Sequence, residues 1–322
     1  MRGFGGRKAH IPGDSPLCHV RATPTVVAFI HVKARYAQAR CTWEAALAMS
    51  TKSALAVTDS PAEGPNQAGP LVVLVHGSLD RSTSFLRVLR RLRDLHTVVY
   101  DRRGYNRSRH VVPLNTTLDG HIDDLLEVVD GRPAVVVGHS YGGSITLGAA
   151  LRAEGSSIRS VGAYEPPMPW LGEWSRSAAT SASMGSAASE PEDPAAAAER
   201  FFRRMVGNSS WERLPEEAKD ARRADGAALV AELAAIRLST PPFDVSTLTI
   251  PATFGRGENS LPRHREVVAW LAGHTPNAEL VEFPGANHGA HLTHPDAFAA
   301  FVRTAVARAH EPQSEATSLT RR

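Results

Sequence analysis

The stretch Val135-Val136-Val137-Gly138-His139-Ser140-Tyr141-Gly142-Gly143 decides how this chain reads. A β-branched run ends in Gly-His-Ser-Tyr-Gly, and a small-residue helical pattern follows from Ser144 to Arg152. This is the G-x-S-x-G pattern of a nucleophile elbow, a tight strand-to-helix turn that lifts a serine hydroxyl above a sheet. The glycines two residues before and after Ser140 carry no Cβ to collide inside that turn. The bland alternative is a glycine-rich βα turn that only packs. A buried-type strand before the motif and a helix after it favour the elbow.

Working outward, apolar strand patterns alternate with amphipathic helix patterns. Leu71 to Val75 is a continuous apolar run suited to a central parallel strand. Phe85, Val88, Leu89 and Leu92 then share a helical face, and residues 97–100 form the next strand. A helix is expected over about 118–129, with Ile122, Leu125, Leu126 and Val129 inward. Strands follow at 134–137 and 160–164. Residues 172–194 are rich in Ala, Ser, Gly and Pro, and helical patterns cover about 195–206 and 216–238. After Pro251 the alternation resumes, with strands at 251–254 and 279–283 and helices at 263–272 and 295–309. The fold class is therefore α/β, a mostly parallel, doubly wound sheet. Residues 49–165 and 246–310 are expected to build its core, and 166–245 an inserted helical cap. Residues 53–58 read as a weak first strand, and 311–322 as a disordered tail.

The basic balance of the whole chain is misleading. Residues 1–48 carry seven Lys/Arg against Asp14 and Glu44, which leaves 29 basic and 31 acidic residues in the remainder. A near-neutral body predicts no nucleic-acid partner. Residues 1–48 show no clean period and read as a disordered extension or a mis-assigned start ahead of Met49; a signal peptide is the other reading. Both cysteines, Cys18 and Cys41, lie there, so the body needs no thiol chemistry. No apolar run approaches a membrane span, and a cytoplasmic location without membrane contact is expected. The oligomeric state is not legible.

A serine hydroxyl is a poor nucleophile at neutral pH and needs a base, itself oriented by an acid. The base belongs in a loop after a late strand, and Phe283-Pro284-Gly285-Ala286-Asn287-His288-Gly289 places His288 there. His291 and His294 compete, but His288 follows the strand most closely. The oxyanion needs two backbone donors: the N–H of Tyr141, after the nucleophile, and that of Ser78, in the loop His76-Gly77-Ser78 after the run ending at Val75.

With His76-Gly77-Ser78, Asp101-Arg102-Arg103-Gly104-Tyr105, the elbow and Gly285-Ala286-Asn287-His288 in place, the chain resembles the α/β-hydrolase-fold superfamily over about residues 70–305. The resemblance implies a capped serine hydrolase of the esterase kind. It departs from the family at the acid. Many members end a Gly-Glu-Asn/Asp-Asp-like segment after the penultimate strand with the triad aspartate, whereas this chain reads Gly257-Glu258-Asn259-Ser260. Two carboxylates could substitute. Glu258 lies in that loop, two residues early. Glu165 follows the strand after the nucleophile strand, in Ala163-Tyr164-Glu165-Pro166, and resembles the arrangement of some haloalkane dehalogenases. Glu165 is the favoured acid and Glu258 the alternative.

The sequence thus predicts a cofactor-independent serine hydrolase acting on a small acyl compound such as an ester, by Ser140, His288 and Glu165. Trp170 and Trp174 open the cap and are candidates to line an acyl pocket, with ordinary packing as the alternative. No cluster has metal-ligand spacing, and no G-x-G-x-x-G follows a strand, so neither metal nor nucleotide is expected. A lyase or acyltransferase on the same fold, and a ligand-binding protein with a decayed triad, remain open, the latter because of Ser260.

Overall fold

Runs of Val, Leu and Ile separated by glycine- and proline-bearing turns pair into one seven-stranded sheet. A computed structural model describes residues 54–64, 69–153, 157–171, 193–236 and 241–310. The expectations for residues 1–48, the Met49 start, most of 172–194, Trp174 and the tail 311–322 lie outside the described residues. In chain order come β1 (Val57–Ser60), β2 (Leu71–Val75), α1 (Leu86–Leu89), β3 (Thr97–Tyr100), α2 (Leu118–Val129), β4 (Ala134–His139), α3 (Tyr141–Arg152) and β5 (Ile158–Tyr164). Then follow α4 (Pro194–Val206), α5 (Asn208–Glu212), α6 (Glu216–Arg223) and α7 (Gly226–Ala235). The chain ends with β6 (Ala252–Gly257), α8 (Pro262–His274), β7 (Ala278–Phe283), α9 (Ala290–Thr293) and α10 (Pro295–Arg308).

The sheet order is β1-β3-β2-β4-β5-β6-β7. Only β1 runs antiparallel to its neighbour; every other pairing is parallel. Alternate residues of each strand therefore serve different layers. Leu71, Val73 and Val75 face α2, α3 and α8, through Ile122, Ile145 and Val268. Val72 and Leu74 face α1 and α10, through Val88, Phe298 and Val302. Both faces are covered, which is why the central strands are apolar at every position instead of alternating.

Helices α4 to α7 form an insertion between β5 and β6. The pattern expected as one helix over 216–238 is two helices, interrupted at Ala224 and Asp225. The cause is tertiary. The Asp225 carboxylate accepts from the backbone N–H of Asn106 at 3.1 Å and from Arg109 Nε at 2.8 Å, which turns the chain there. Among the described residues no helix is long and apolar enough to cross a membrane.

The core gives a direct test. Phe298 is fully buried among Phe85, Tyr164, Phe283 and Phe301. Phe298→Ala should cost about 3–5 kcal/mol in urea unfolding. Val112→Ala, at a residue 82% exposed, should stay within about 0.5 kcal/mol of wild type.

Candidate active site

Strand β4 delivers Ser140 at its C-terminal end, and α3 starts on the next residue. Ser140 has φ 53° and ψ −128°, a left-handed backbone that costs a non-glycine residue on the order of 1–3 kcal/mol. The surroundings enforce it. Ser140 N–H donates to Tyr164 O at 2.8 Å, and Gly143 N–H donates to Ser140 O at 2.7 Å. A Cβ on Gly142 would stand 2.2 Å from Val75 O, and one on Gly138 2.2 Å from the Gly142 backbone. The elbow can thus wedge against the end of β2 only with glycine at both positions.

The loop after β2 crosses directly over the elbow: a Cβ on Gly77 would lie 3.0 Å from Ser140 Cβ. His76 is fully buried. Its Nε2 accepts from Arg102 N–H at 2.9 Å, so the proton sits on Nδ1 and is donated to Gly77 O at 2.9 Å. Burial, with Arg102 nearby, lowers the His76 pKa to about 4, and the ring is neutral at ordinary pH.

His288 lies in the loop after β7, with its side chain 17% exposed. Its Nδ1 is 2.7 Å from Glu165 Oε2. Glu165 is fully buried, follows β5 with φ 45°, and accepts from Gly257 N–H through Oε1 at 2.8 Å. Both carboxylate oxygens are therefore engaged, one by β6 and one by the imidazole. Glu258 is turned elsewhere: it is exposed and accepts from Gly285 N–H at 2.7 Å, bracing the loop that carries His288. Ser260 is buried, with its Oγ 2.8 Å from the place of a Cβ on Gly257. The His288 loop is tied to the elbow by His139, which donates its Nε2–H to His288 O at 2.7 Å. It is tied to β5 by Tyr164, whose hydroxyl donates to Asn287 O at 2.8 Å.

Several residues at the site escaped the sequence reading. His264, on α8, stacks on His288 with ring centroids 4.5 Å apart. Burial, then the neighbouring His288 and Arg263, push its pKa down to about 2. His139 is likewise held well below the ordinary range, first by burial and then by His291 and His288. His291, a competitor for the base in sequence, lies 3.2 Å from Asp80 and tilts against His139 at 4.1 Å. Burial opposes ionisation of Asp80, but the His291 hydrogen bond and charge hold its carboxyl below the usual range. Arg102, in the motif Asp101-Arg102-Arg103-Gly104-Tyr105, is fully buried and bonds Glu232 of α7 at 2.7 Å. The only signal for Glu232 was a lone charge in the otherwise uncharged run Gly226-Ala227-Ala228-Leu229-Val230-Ala231-Glu232-Leu233-Ala234-Ala235. Trp170 is half-buried and packs edge-on against Phe243 at 5.4 Å.

Two groups come within metal-ligand reach: Asp80 with His139 and His291, and Glu165 with His264 and His288. In each, the two imidazoles pack ring against ring, at 4.1 and 4.5 Å. His264 and His288 stack, with 25° between the ring planes, whereas His139 and His291 are tilted by 43°; sequence spacing gave no sign of either grouping.

The alpha/beta hydrolase family model matches residues 72–301. A curated relative, "Uncharacterized hydrolase YraK" of Bacillus subtilis (strain 168), is 37% identical over 90 residues, which is 26% of this chain and 33% of that protein. The chain thus matches about a third of that relative's length. Among solved structures, an alpha/beta hydrolase from Sphaerobacter thermophilus is 25% identical with TM-score 0.58, over 77% of this chain and 95% of that one. A thermophilic esterase from Thermogutta terrifontis is 22% identical with TM-score 0.61, over 80% and 94%. The enol-lactonase from Burkholderia xenovorans LB400 is 20% identical with TM-score 0.59, over 80% and 99%; these last two likenesses carry the fold alone. With the family match spanning most of the chain and the sheet order, elbow and flanking loops in agreement with it, the protein belongs to the alpha/beta hydrolase family.

Proposed function

We propose that this protein is a cofactor-independent serine hydrolase that cleaves a carboxylic ester or related acyl compound. The observation that carries the reading is the 2.7 Å contact between Glu165 and His288 Nδ1. It supplies the negative charge that Ser260, at the acid position of many relatives, lacks. That contact weighs against a decayed triad and supports a hydrolytic role.

In this reading Glu165 keeps the His288 proton on Nδ1, so that Nε2 is the basic nitrogen. Nε2 takes the proton of Ser140 Oγ as the hydroxyl attacks the substrate carbonyl. The resulting oxyanion is held by the backbone N–H groups of Ser78 and Tyr141. The imidazolium then returns its proton to the leaving group, the carbonyl reforms, and an acyl-Ser140 ester remains. Water, deprotonated by the same Nε2, attacks that ester. Collapse of the second tetrahedral intermediate frees the acid and restores Ser140. The neighbouring rings of His139 and His264 are neutral, so they do not oppose the positive charge that forms on His288. Residues 166–245 act as a cap that shapes the pocket, with Trp170 among the candidates to line it.

Two measurements test this. Wild-type protein should be labelled at Ser140 by a fluorophosphonate, read by intact mass and peptide mapping. Ser140→Ala should lose labelling and hydrolysis of a small p-nitrophenyl ester together, and full hydrolysis by that variant would rule out Ser140. Glu165→Gln should lower kcat/KM by on the order of 10³–10⁴-fold, whereas Glu258→Gln should stay within about twofold because its carboxylate only braces the loop. The opposite ranking would make Glu258 the acid.

A further inference from the structure

Helix α7 carries one charge, Glu232, and that charge is 1% exposed. A buried carboxylate is tolerated only where its lone pairs are met. Those of Glu232 are met by the machinery beneath. Its Oε1 accepts the hydroxyl hydrogen of Ser78, and its Oε2 accepts from Arg102 Nη1 at 2.7 Å and lies 3.4 Å from His121 Nε2. Burial opposes ionisation, but Arg102 and His121 hold the Glu232 pKa down to about 2, so the group is a carboxylate throughout the working range.

Arg102 is fixed from several sides. It is fully buried, and its guanidinium lies over the rings of Tyr105 and Tyr141 at 4.8 and 5.3 Å. Its Nη2 donates to Gly77 O at 2.9 Å, the same oxygen that accepts from His76 Nδ1. That oxygen matters because Gly77 C=O and Ser78 N–H belong to one planar trans peptide group. In such a group the two bonds point in opposite directions. Gripping the carbonyl on the Arg102 side therefore fixes the direction in which the Ser78 N–H points.

We propose that Glu232 is a positioning residue for the oxyanion hole. By holding Arg102 on Gly77 O and by accepting from the Ser78 hydroxyl, it fixes the Gly77–Ser78 peptide. The insertion thus completes a hole whose donors come from the loop after β2 and the start of α3. This rests on the assignment of Ser78 N–H as an oxyanion donor, made above. Asp225 supplies a built-in control. It anchors the same insertion through Asn106, Arg109 and a 3.6 Å ion pair with Arg81, none of them among residues 76–78.

The test compares Glu232→Ala, Glu232→Gln and Asp225→Asn in the full chain. Readouts are kcat and KM on a small activated ester, the Ki of a trifluoromethyl ketone, and thermal melting. The ketone is a probe of the hole, because its adduct with Ser140 is itself an oxyanion. Removing one oxyanion donor outright costs about 10²–10³ in kcat. Glu232→Ala should lower kcat by about 10²-fold, with KM within about twofold and ketone affinity falling in parallel. Glu232→Gln keeps an acceptor but not the charge, and should lose about five- to tenfold in both kcat and ketone affinity. Asp225→Asn should lower the melting temperature and leave kcat within about twofold. Should Glu232→Ala not fold, Glu232→Gln decides alone: parallel loss sustains the proposal, and unchanged kcat and ketone affinity overturn it. An equal kcat loss in Asp225→Asn also overturns it, because any loosening of the insertion would then suffice. A reactive wild type with unaffected Glu232 variants defeats this proposal only; a wild type that neither turns over nor is labelled defeats the hydrolase reading and this proposal with it.

Discussion

The chain must turn from β4 into α3 within one residue, at Ser140, and the rest of the site follows from that turn. Its backbone, φ 53° and ψ −128°, is unfavourable for serine. It holds because β2 and β5 stand on either side of β4 and leave the turn nowhere else to go. From the β2 side Val75 O closes on Gly142, and from the β5 side Tyr164 O takes the Ser140 N–H. The same two neighbours then continue into the loops that flank the serine, His76-Gly77-Ser78 from β2 and Glu165 from β5. The sheet order is thus sufficient to set the loop proposed to hold the oxyanion and the carboxylate proposed as the acid beside one hydroxyl.

The reach of Glu165 to His288 has a simple geometric basis. Parallel neighbours in a sheet are about 4.8 Å apart, so a side chain leaving β5 is one strand closer to β4 than one leaving β6. Glu165 spans the end of β6 through Gly257 N–H and still reaches His288. Strand β6 contributes a backbone donor, Gly257 N–H, to that carboxylate. Ser260, which follows that strand, is left as a buried neighbour of Gly257. The left-handed backbone at Glu165, φ 45°, is the second unfavourable conformation at a strand end here. Like Ser140, Glu165 has a backbone N–H tied to the adjacent strand, by a 3.0 Å bond to Gly255 O.

What was legible in the sequence is what local pattern controls. Continuous apolar runs placed β2, β3 and β4, helical periodicity placed α2, α8 and α10, and the spacing of glycines around Ser140 placed the elbow. The sequence favoured Glu165 over Glu258 as the candidate acid but could not show its contact with His288, because 123 residues separate the two and no local pattern records that pairing. Glu232 and Arg102 were missed for the same reason, being 130 residues apart. A charge in a helix ordinarily marks its solvent face, and only the fold turns this one inward. His264 and His139 were missed because a buried histidine stacked on another leaves no periodic trace. The break at Asp225 was missed because the helical pattern runs through it, and a tertiary hydrogen bond overrides the pattern.

The insertion meets the body of the fold through charge as well as apolar contact. Leu229 and Leu233 of α7 do pack near Leu79, but two buried carboxylates, Asp225 and Glu232, reach the loops that follow β2 and β3. Apolar contacts tolerate sliding, since they have no directional preference. A carboxylate locked to a guanidinium and a hydroxyl in a dry interior does not, because any shift leaves a charge unpaired. An insertion joined only by leucines could vary its pose with each substrate. One joined through Glu232 seats in a single register against residues 76–78, so that the pose of the insertion and the direction of the Gly77–Ser78 peptide become one structural variable. In the proposed reading, chemistry supplied by strand ends and shape supplied by the insertion are thereby mechanically linked at Arg102, in the loop that follows β3.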